Sequence, residues 1–166
     1  MSHRNSPRHI NIRSAGFAVA WTDAPCRQCA KSTRVLAVVL PPQHEALVLD
    51  DENSAGDTWE SPGCAAWLFH IESLPPPVVL RLQFLSPGFR RARSAPTQGA
   101  CWVNHCANCG SLLEDHDLHC EPGGAFLPSD PQSGARIRLE VLPERLEAAA
   151  AGYSIEPHFM ASMSAG

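Results

Sequence analysis

The stretch WVNHCANCGSLL, residues 102–113, contains the pentapeptide CANCG on which the interpretation of the chain depends. A C-x-x-C pair can bind a metal, carry out thiol–disulfide chemistry or simply fill a core with two small side chains. The pentapeptide alone does not distinguish these roles. A second pair, CRQC at residues 26–29, favours a shared metal site. Two such pairs supply the four sulfurs of a tetrahedral structural zinc site, so the predicted ligands are Cys26, Cys29, Cys106 and Cys109.

Each pair is predicted to form a tight turn, called a knuckle below, that points two thiolates at one ion. Gly110 directly follows the second pair and suits the left-handed backbone position that such a turn often needs, whereas Ala30 suits the equivalent position less well. Between Cys29 and Cys106 lie 76 residues. Closing a loop of that size costs about 4–5 kcal/mol of chain entropy. Structural zinc contributes about 10–16 kcal/mol in small peptides, so the ion can offset this cost.

Length and composition limit the class of protein. A chain of 166 residues is long enough for one domain with a real core, and its net charge of −4 gives no global attraction to nucleic acid or to an anionic membrane. No apolar run is long enough to span a bilayer, and residues 1–22 lack a convincing secretory signal. We therefore predict a cytoplasmic protein. An odd cysteine count, seven, also argues against a closed disulfide framework.

The remaining pattern predicts an α+β, β-rich fold with a zinc-ribbon-like metal core, a β-rich insertion between the knuckles, and a C-terminal strand and helix. Runs of β-branched or alternating residues predict strands at 35–40, 45–49, 78–85 and 135–142. Pro143 and Gly152 mark the start and end of a predicted helix. Residues 50–63 and 86–100 are predicted loops. We assign residues 1–16 to a flexible basic arm, 17–158 to a single zinc-stabilised domain and 159–166 to a frayed tail.

Two segments carry a resemblance to a known group of proteins. PCRQCAKSTRVLAVVLP, residues 25–41, and WVNHCANCGSLLEDHDLHCEPGGAF, residues 102–126, resemble small bacterial zinc-ribbon-like proteins of unassigned function. The shared pattern is an early C-x-x-C followed by a strand, then an aromatic-x-N-x-C-x-x-C-G segment and an E-P-G-G-x-F turn. The resemblance covers about half of the chain. It implies that the four paired cysteines are metal ligands, and it implies no reaction.

Other side chains near the second knuckle offer a competing, catalytic hypothesis. His116, His119 and Cys120, with Asp115 or Asp117 nearby, could form a second and open metal site of the kind that hydrolytic zinc enzymes use. The sequence lacks the specific H-E-x-x-H signal for such a site. Ordinary packing and hydrogen bonding are the favoured roles for these side chains. Residues 121–126 are predicted to form a structural turn rather than a phosphate loop, and Cys64 a buried thiol.

The favoured function is a non-catalytic, zinc-binding protein-interaction or adaptor module. A protein partner is favoured over a nucleic acid, because an acidic protein surface matches a low net charge combined with a local group of arginines, and no membrane partner is expected. The alternatives are the zinc-dependent hydrolase and a nucleic-acid-binding zinc ribbon. The second alternative depends on a local group of arginines without neighbouring acids, namely Arg81, Arg90, Arg91 and Arg93.

Overall fold

The structure is a computed structural model that describes residues 9–49, 56–93, 99–155 and 164–165. The described chain is mostly β, as predicted. The strands in chain order are β1 (Ile12–Ser14), β2 (Phe17–Pro25), β3 (Ser32–Leu40), β4 (Glu45–Val48), β5 (Thr58–Glu60), β6 (Ala66–Ser73), β7 (Arg90–Arg93), β8 (Ala100–His105), β9 (Leu112–Leu113), β10 (Arg138–Leu142), β11 (Leu146–Ile155) and β12 (Ser164–Ala165). The helices are α1 (Pro76–Leu85), α2 (Asp115–His119) and α3 (Pro131–Ala135).

One continuous path of paired strands organises the described residues, in the order β12-β10-β2-β3-β6-β11-β1-β4-β5. Strand β8 joins this path beside β6 and also pairs with β7 and β9. All pairings are antiparallel except the short parallel contact of β10 with β12. Strand β3 lies at the centre of this arrangement, directly after the first knuckle.

The core has two parts, one on each face of β3. Leu36, Val38 and Leu40 belong to the cluster that packs against α1, whereas Val35, Ala37 and Val39 belong to the cluster that contains Cys26 and Cys106. Because successive strand residues point to opposite faces, a strand covered on both sides is apolar at every position. This explains the uninterrupted run at 35–40. The predicted strand at 35–40 is confirmed within β3, and that at 45–49 is confirmed over residues 45–48, which form β4.

The strand predicted at residues 78–85 is wrong, because these residues belong to helix α1. Two prolines, at positions 76 and 77, stand at the first positions of the helix, where a missing N–H costs nothing. Val78 and Leu82, four residues apart, are the buried pair, while Leu80 and Phe84 are strongly exposed. The exposed apolar side chains obscured the helical period in the sequence.

The helix predicted between Pro143 and Gly152 is also wrong, and the C-terminal helix of the predicted fold class with it. Residues 146–155 form strand β11, which lies between β6 and β1. The alanines at 148–150 are buried, and a Cβ on Gly152 would lie 2.2 Å from the ring of Phe69. Gly152 is therefore required by the close approach of β6, and burial of the alanines in the sheet overrides their helical preference.

Parts of the predicted arm, loops and tail are also in the sheet. Within the predicted arm, β1 pairs with β11 and β4, and Arg13 bonds Glu45 at 2.7 Å. The predicted loops contain β5 and β7, and the predicted tail contains β12. Residues 1–8, 50–55, 94–98, 156–163 and 166 lie outside the described residues, so the corresponding parts of these predictions stay predictions.

Candidate metal centre

Each C-x-x-C pair is the turn of an antiparallel hairpin, the first between β2 and β3 and the second between β8 and β9. Both turns have the same hydrogen bonds. The N–H of Cys26 donates to Lys31 O at 2.9 Å and that of Ala30 to Cys26 O at 2.8 Å. In the second knuckle the N–H of Cys106 donates to Ser111 O at 2.8 Å and the N–H of Gly110 donates to Cys106 O at 2.9 Å. The two knuckles are therefore equivalent backbone structures built from different sequences.

The residue after each second cysteine has a left-handed backbone. Gly110 has φ of 74° and Ala30 has φ of 59°. Glycine adopts this conformation without steric cost, whereas for an alanine the Cβ approaches the backbone and raises the energy by about 1–2 kcal/mol. The first knuckle therefore carries backbone strain that the second does not.

The folded chain brings together the sulfurs of Cys26, Cys29, Cys106 and Cys109, and all four lie within 4.8 Å of one another. The Cys26 and Cys109 sulfurs are 3.7 Å apart, as are those of Cys29 and Cys106. A tetrahedral ion with Zn–S bonds of about 2.3 Å requires an S–S separation of about 3.8 Å. The sulfurs thus have the spacing of a Cys₄ metal site. These distances exclude disulfide bonds, whose S–S bond length is about 2.05 Å.

Polar contacts hold the two knuckles against each other. The hydroxyl of Thr33, in β3, accepts the N–H of Ala107 at 3.0 Å, and the Asn108 side chain donates to Ser32 O at 3.0 Å. The Ser111 hydroxyl lies 3.2 Å from the Cys26 sulfur and 3.1 Å from that of Cys109. One hydroxyl therefore contacts a sulfur from each knuckle.

The electrostatics of the cluster favour partial ionisation. The hydroxyl of Ser111 and then the backbone N–H groups of Cys29 and Gln28 lower the pKa of Cys26 to about 6. The Lys31 N–H also favours a thiolate at Cys29, but burial and the neighbouring thiols outweigh it and raise the pKa of Cys29 to about 11. Four sulfurs at this spacing cannot all be anionic without a compensating positive charge, which a divalent cation would supply.

Asn104 connects the second knuckle to the core, a role that the sequence analysis did not assign to the asparagine of the shared pattern. Its side chain donates to Leu36 O at 2.9 Å and accepts the Leu36 N–H at 3.0 Å, which are the two bonds that a neighbouring strand would make. Asn104 is fully buried. It lies two residues before Cys106 and so fixes the position of that cysteine relative to β3. A buried asparagine is recognised only when its partners are known.

The structure does not bring His116, His119 and Cys120 together. His119 is buried and stacks on Phe126 with ring centres 5.0 Å apart, and burial lowers its pKa to about 3. The side chains of His116 and Cys120 are exposed. Asp115 instead accepts the backbone N–H of His70 at 2.7 Å. These contacts fit the packing role that the sequence favoured for His119 and Asp115.

Within the described residues, a second group of possible metal-binding side chains comprises His116, Asp117 and Glu121. Arg27, from the first knuckle, is 3.0 Å from Asp117 and also contacts Glu121. This guanidinium forms ion pairs with both carboxylates, so the group is a surface ion-pair network. Cys64 is half-buried and lies outside the four-cysteine cluster.

The four arginines considered for nucleic-acid binding are divided between two elements. Arg81, in α1, forms an ion pair with Glu140 of β10. The other three lie on β7, where alternation directs Arg91 and Arg93 to one face and Arg90 to the other. Arg91 also donates to Ala100 O at 2.9 Å. At most two of the β7 arginines therefore share a surface.

Comparisons with protein-family models, with curated proteins and with solved structures return no match. The four-cysteine cluster is consistent with a zinc-ribbon-like site, but no family match supports the resemblance noted in the sequence. Among the described residues, none of the helices has the length and hydropathy needed to cross a membrane. What can be said of function therefore depends on the geometry of this chain.

Proposed function

We propose that the protein is a non-catalytic protein-interaction or adaptor module whose fold is stabilised by one structural zinc ion bound to Cys26, Cys29, Cys106 and Cys109. The observation that carries this proposal is the spacing of the four sulfurs, all within 4.8 Å of one another and 3.7 Å apart in two pairs. Zinc is the usual occupant of a four-thiolate tetrahedral site.

A structural role fits better than a catalytic one because sulfur fills all four positions. Catalytic zinc sites generally have three protein ligands and leave the fourth position to water or substrate. Here each knuckle supplies two ligands, and the ion would join two hairpins that are distant in sequence. Cys26 and Cys106 are also buried in one of the two core clusters. The cluster is thus part of the packed interior as well as a candidate metal site.

A protein partner fits the charge distribution better than a nucleic acid. The net charge is −4, Arg81 is ion-paired, and the arginines of β7 point to opposite faces. A duplex is bound through many phosphate contacts at once, which requires several cations on one surface. The dispersed arrangement supports the ranking of a protein partner first.

Metal analysis of the purified protein, combined with cysteine variants, tests the proposal. We expect one zinc per chain in the wild type, and loss of the metal and of several kcal/mol of stability in Cys109→Ser, because removing a ligand from a structural site removes folding free energy. Cys64→Ser is the matched control and should retain one zinc. Two zinc ions per chain would restore the hydrolase hypothesis. Absence of metal, or a Cys109→Ser protein with an unchanged melting temperature, would refute the structural role.

A further inference from the structure

A groove follows the end of β2, where this strand leads into the first knuckle. Two adjoining cavities of about 320 Å³ each form the groove, and they share Ala24 and Pro25 on one side and residues 123–125 on the other. The second side is closely packed, because a Cβ on Gly124 would lie 2.4 Å from Asp117 O of α2. The E-P-G-G turn thus packs tightly on α2 and forms a wall opposite a strand.

The strand side of the groove has an open edge. The N–H of Cys26 bonds Lys31 O, so Cys26 and every second residue before it direct their backbone groups towards β3. The N–H and C=O of Asp23 and the C=O of Pro25 therefore point away from β3. On that side β10 pairs with β2 only as far as Trp21. In the described ranges, no strand pairs with residues 23–25 there.

The groove carries an excess of negative charge. Its lining residues include two arginines, Arg27 and Arg136, and four acidic residues, namely Asp23, Asp117, Glu121 and Asp130. Arg27 forms ion pairs with Asp117 in α2 and Glu121 in the turn after it. Asp23 is exposed beside the open edge and forms no ion pair with another described residue. The open backbone groups and the unpaired carboxylate therefore lie at the same place.

We propose that this groove binds a short extended segment of a partner protein that carries lysine or arginine, by adding it as a strand to the open edge of β2. Strand addition uses the backbone groups of Asp23 and Pro25, and the excess carboxylate charge selects basic side chains. The open edge, residues 23–25, is three residues long, so an extended segment of about five residues, roughly 16 Å long, covers it with one residue beyond each end. This inference rests on the proposed interaction function and specifies its partner.

A peptide-binding measurement on the zinc-loaded full-length protein tests it. The probe is a fluorescent five-residue peptide of alternating lysine and valine, blocked at both ends, and its control replaces lysine with glutamate. We expect the basic peptide to bind at least about tenfold more tightly than the acidic one, since charge complementarity sets the preference. Asp23→Lys should weaken the basic peptide at least about tenfold. Asp57→Lys, the same reversal at an exposed acid outside the groove, should change the affinity less than about twofold.

Amide hydrogen exchange provides the second readout. If the peptide adds as a strand, the N–H of Asp23 becomes protected on binding, whereas that of Ala24 already bonds β3 and changes little. The inference is overturned if neither peptide binds or if both bind equally. It is also overturned if the two charge reversals have equal effects, or if the N–H of Asp23 gains no protection on binding. Zinc is measured in the same samples. One zinc per chain without peptide binding would reject the groove alone, whereas absence of zinc would reject the structural metal itself.

Discussion

Exchanging the left-handed residues of the two knuckles is expected to change stability in opposite directions. Ala30→Gly removes a Cβ from a position with φ of 59°, and Gly110→Ala adds one at φ of 74°. Both knuckles have the same hydrogen bonds, so the two substitutions perturb equivalent sites. An added Cβ on Gly110 would meet only the Arg90 side chain, at an ordinary distance of 3.7 Å. The effect at both positions is therefore conformational rather than a clash.

The magnitude follows from two opposing contributions. A non-glycine residue in the left-handed region costs about 1–2 kcal/mol, and glycine loses about 0.5–1 kcal/mol more in chain entropy on folding. Ala30→Gly should therefore stabilise the protein by about 0.5–1 kcal/mol, and Gly110→Ala should destabilise it by a similar amount. For a chain of this size the melting temperature should move by about 1–4 °C in each direction.

Urea unfolding with excess zinc measures the free energies of unfolding of both variants. The slope of this free energy with urea concentration should equal that of the wild type. Ala107→Gly is the matched control, because Ala107 lies in the second knuckle and has no left-handed backbone. The same alanine-to-glycine change should there destabilise by about 0.5–1 kcal/mol. If Ala30→Gly is neutral or destabilising, or if Ala107→Gly stabilises equally, the strain assigned to the first knuckle is wrong.

Three further predictions concern the buried acid, the buried amide and the arginines. Burial raises the pKa of Asp115 to about 6, so the wild-type fold gains stability as the pH falls through 6 and loses it as the pH rises. The free energy of unfolding of Asp115→Asn should exceed that of the wild type most at pH 7. This difference should shrink by up to about 1.4 kcal/mol per pH unit between pH 6 and 4, in thermal melts at matched pH. A difference that grows in acid would contradict this. Asn104→Ala leaves the N–H and C=O of Leu36 unpaired in the core. It should lower the free energy of unfolding in urea by about 2–4 kcal/mol. A decrease below about 1 kcal/mol would show that water replaces the side chain. Duplex DNA should bind weakly at physiological salt, with a log–log salt slope no steeper than about −2, because at most two arginines of β7 share a surface; a submicromolar dissociation constant in an anisotropy titration would promote the nucleic-acid hypothesis.

The clustering of the four paired cysteines could be predicted because it depends on spacing and residue chemistry alone. Two C-x-x-C pairs beside β-rich segments indicate a shared site whatever the rest of the chain does. The glycine after the second pair also indicated a left-handed turn, which the structure contains. Strand β3 was predictable for the same kind of reason, since an apolar run at every position is typical of a strand covered on both faces.

The two wrong elements show where local signals fail. Helix α1 exposes Leu80 and Phe84, so its apolar residues do not form a clear stripe and the β-branched pair at positions 78 and 79 indicated a strand. The sequence of strand β11 predicted a helix, because alanine favours helices in isolation. Its alanines at 148–150 are instead buried in the sheet, and Gly152 is required by the approach of the Phe69 ring. That contact depends on β6, about 80 positions earlier in the chain, so no local window of sequence contains it.

The distance between the knuckles has a consequence for synthesis on the ribosome. Cys26 and Cys109, whose sulfurs are 3.7 Å apart in the folded chain, are separated by 83 positions. At about 5–20 residues per second, roughly 4–16 seconds pass between the translation of one cysteine and the other. During that interval the first hairpin holds only half of a metal site, and its thiols are accessible to oxidants and to competing metals. A four-sulfur site can be completed only after the second knuckle has emerged, so a translation product truncated before Cys106 contains only two of the four proposed ligands.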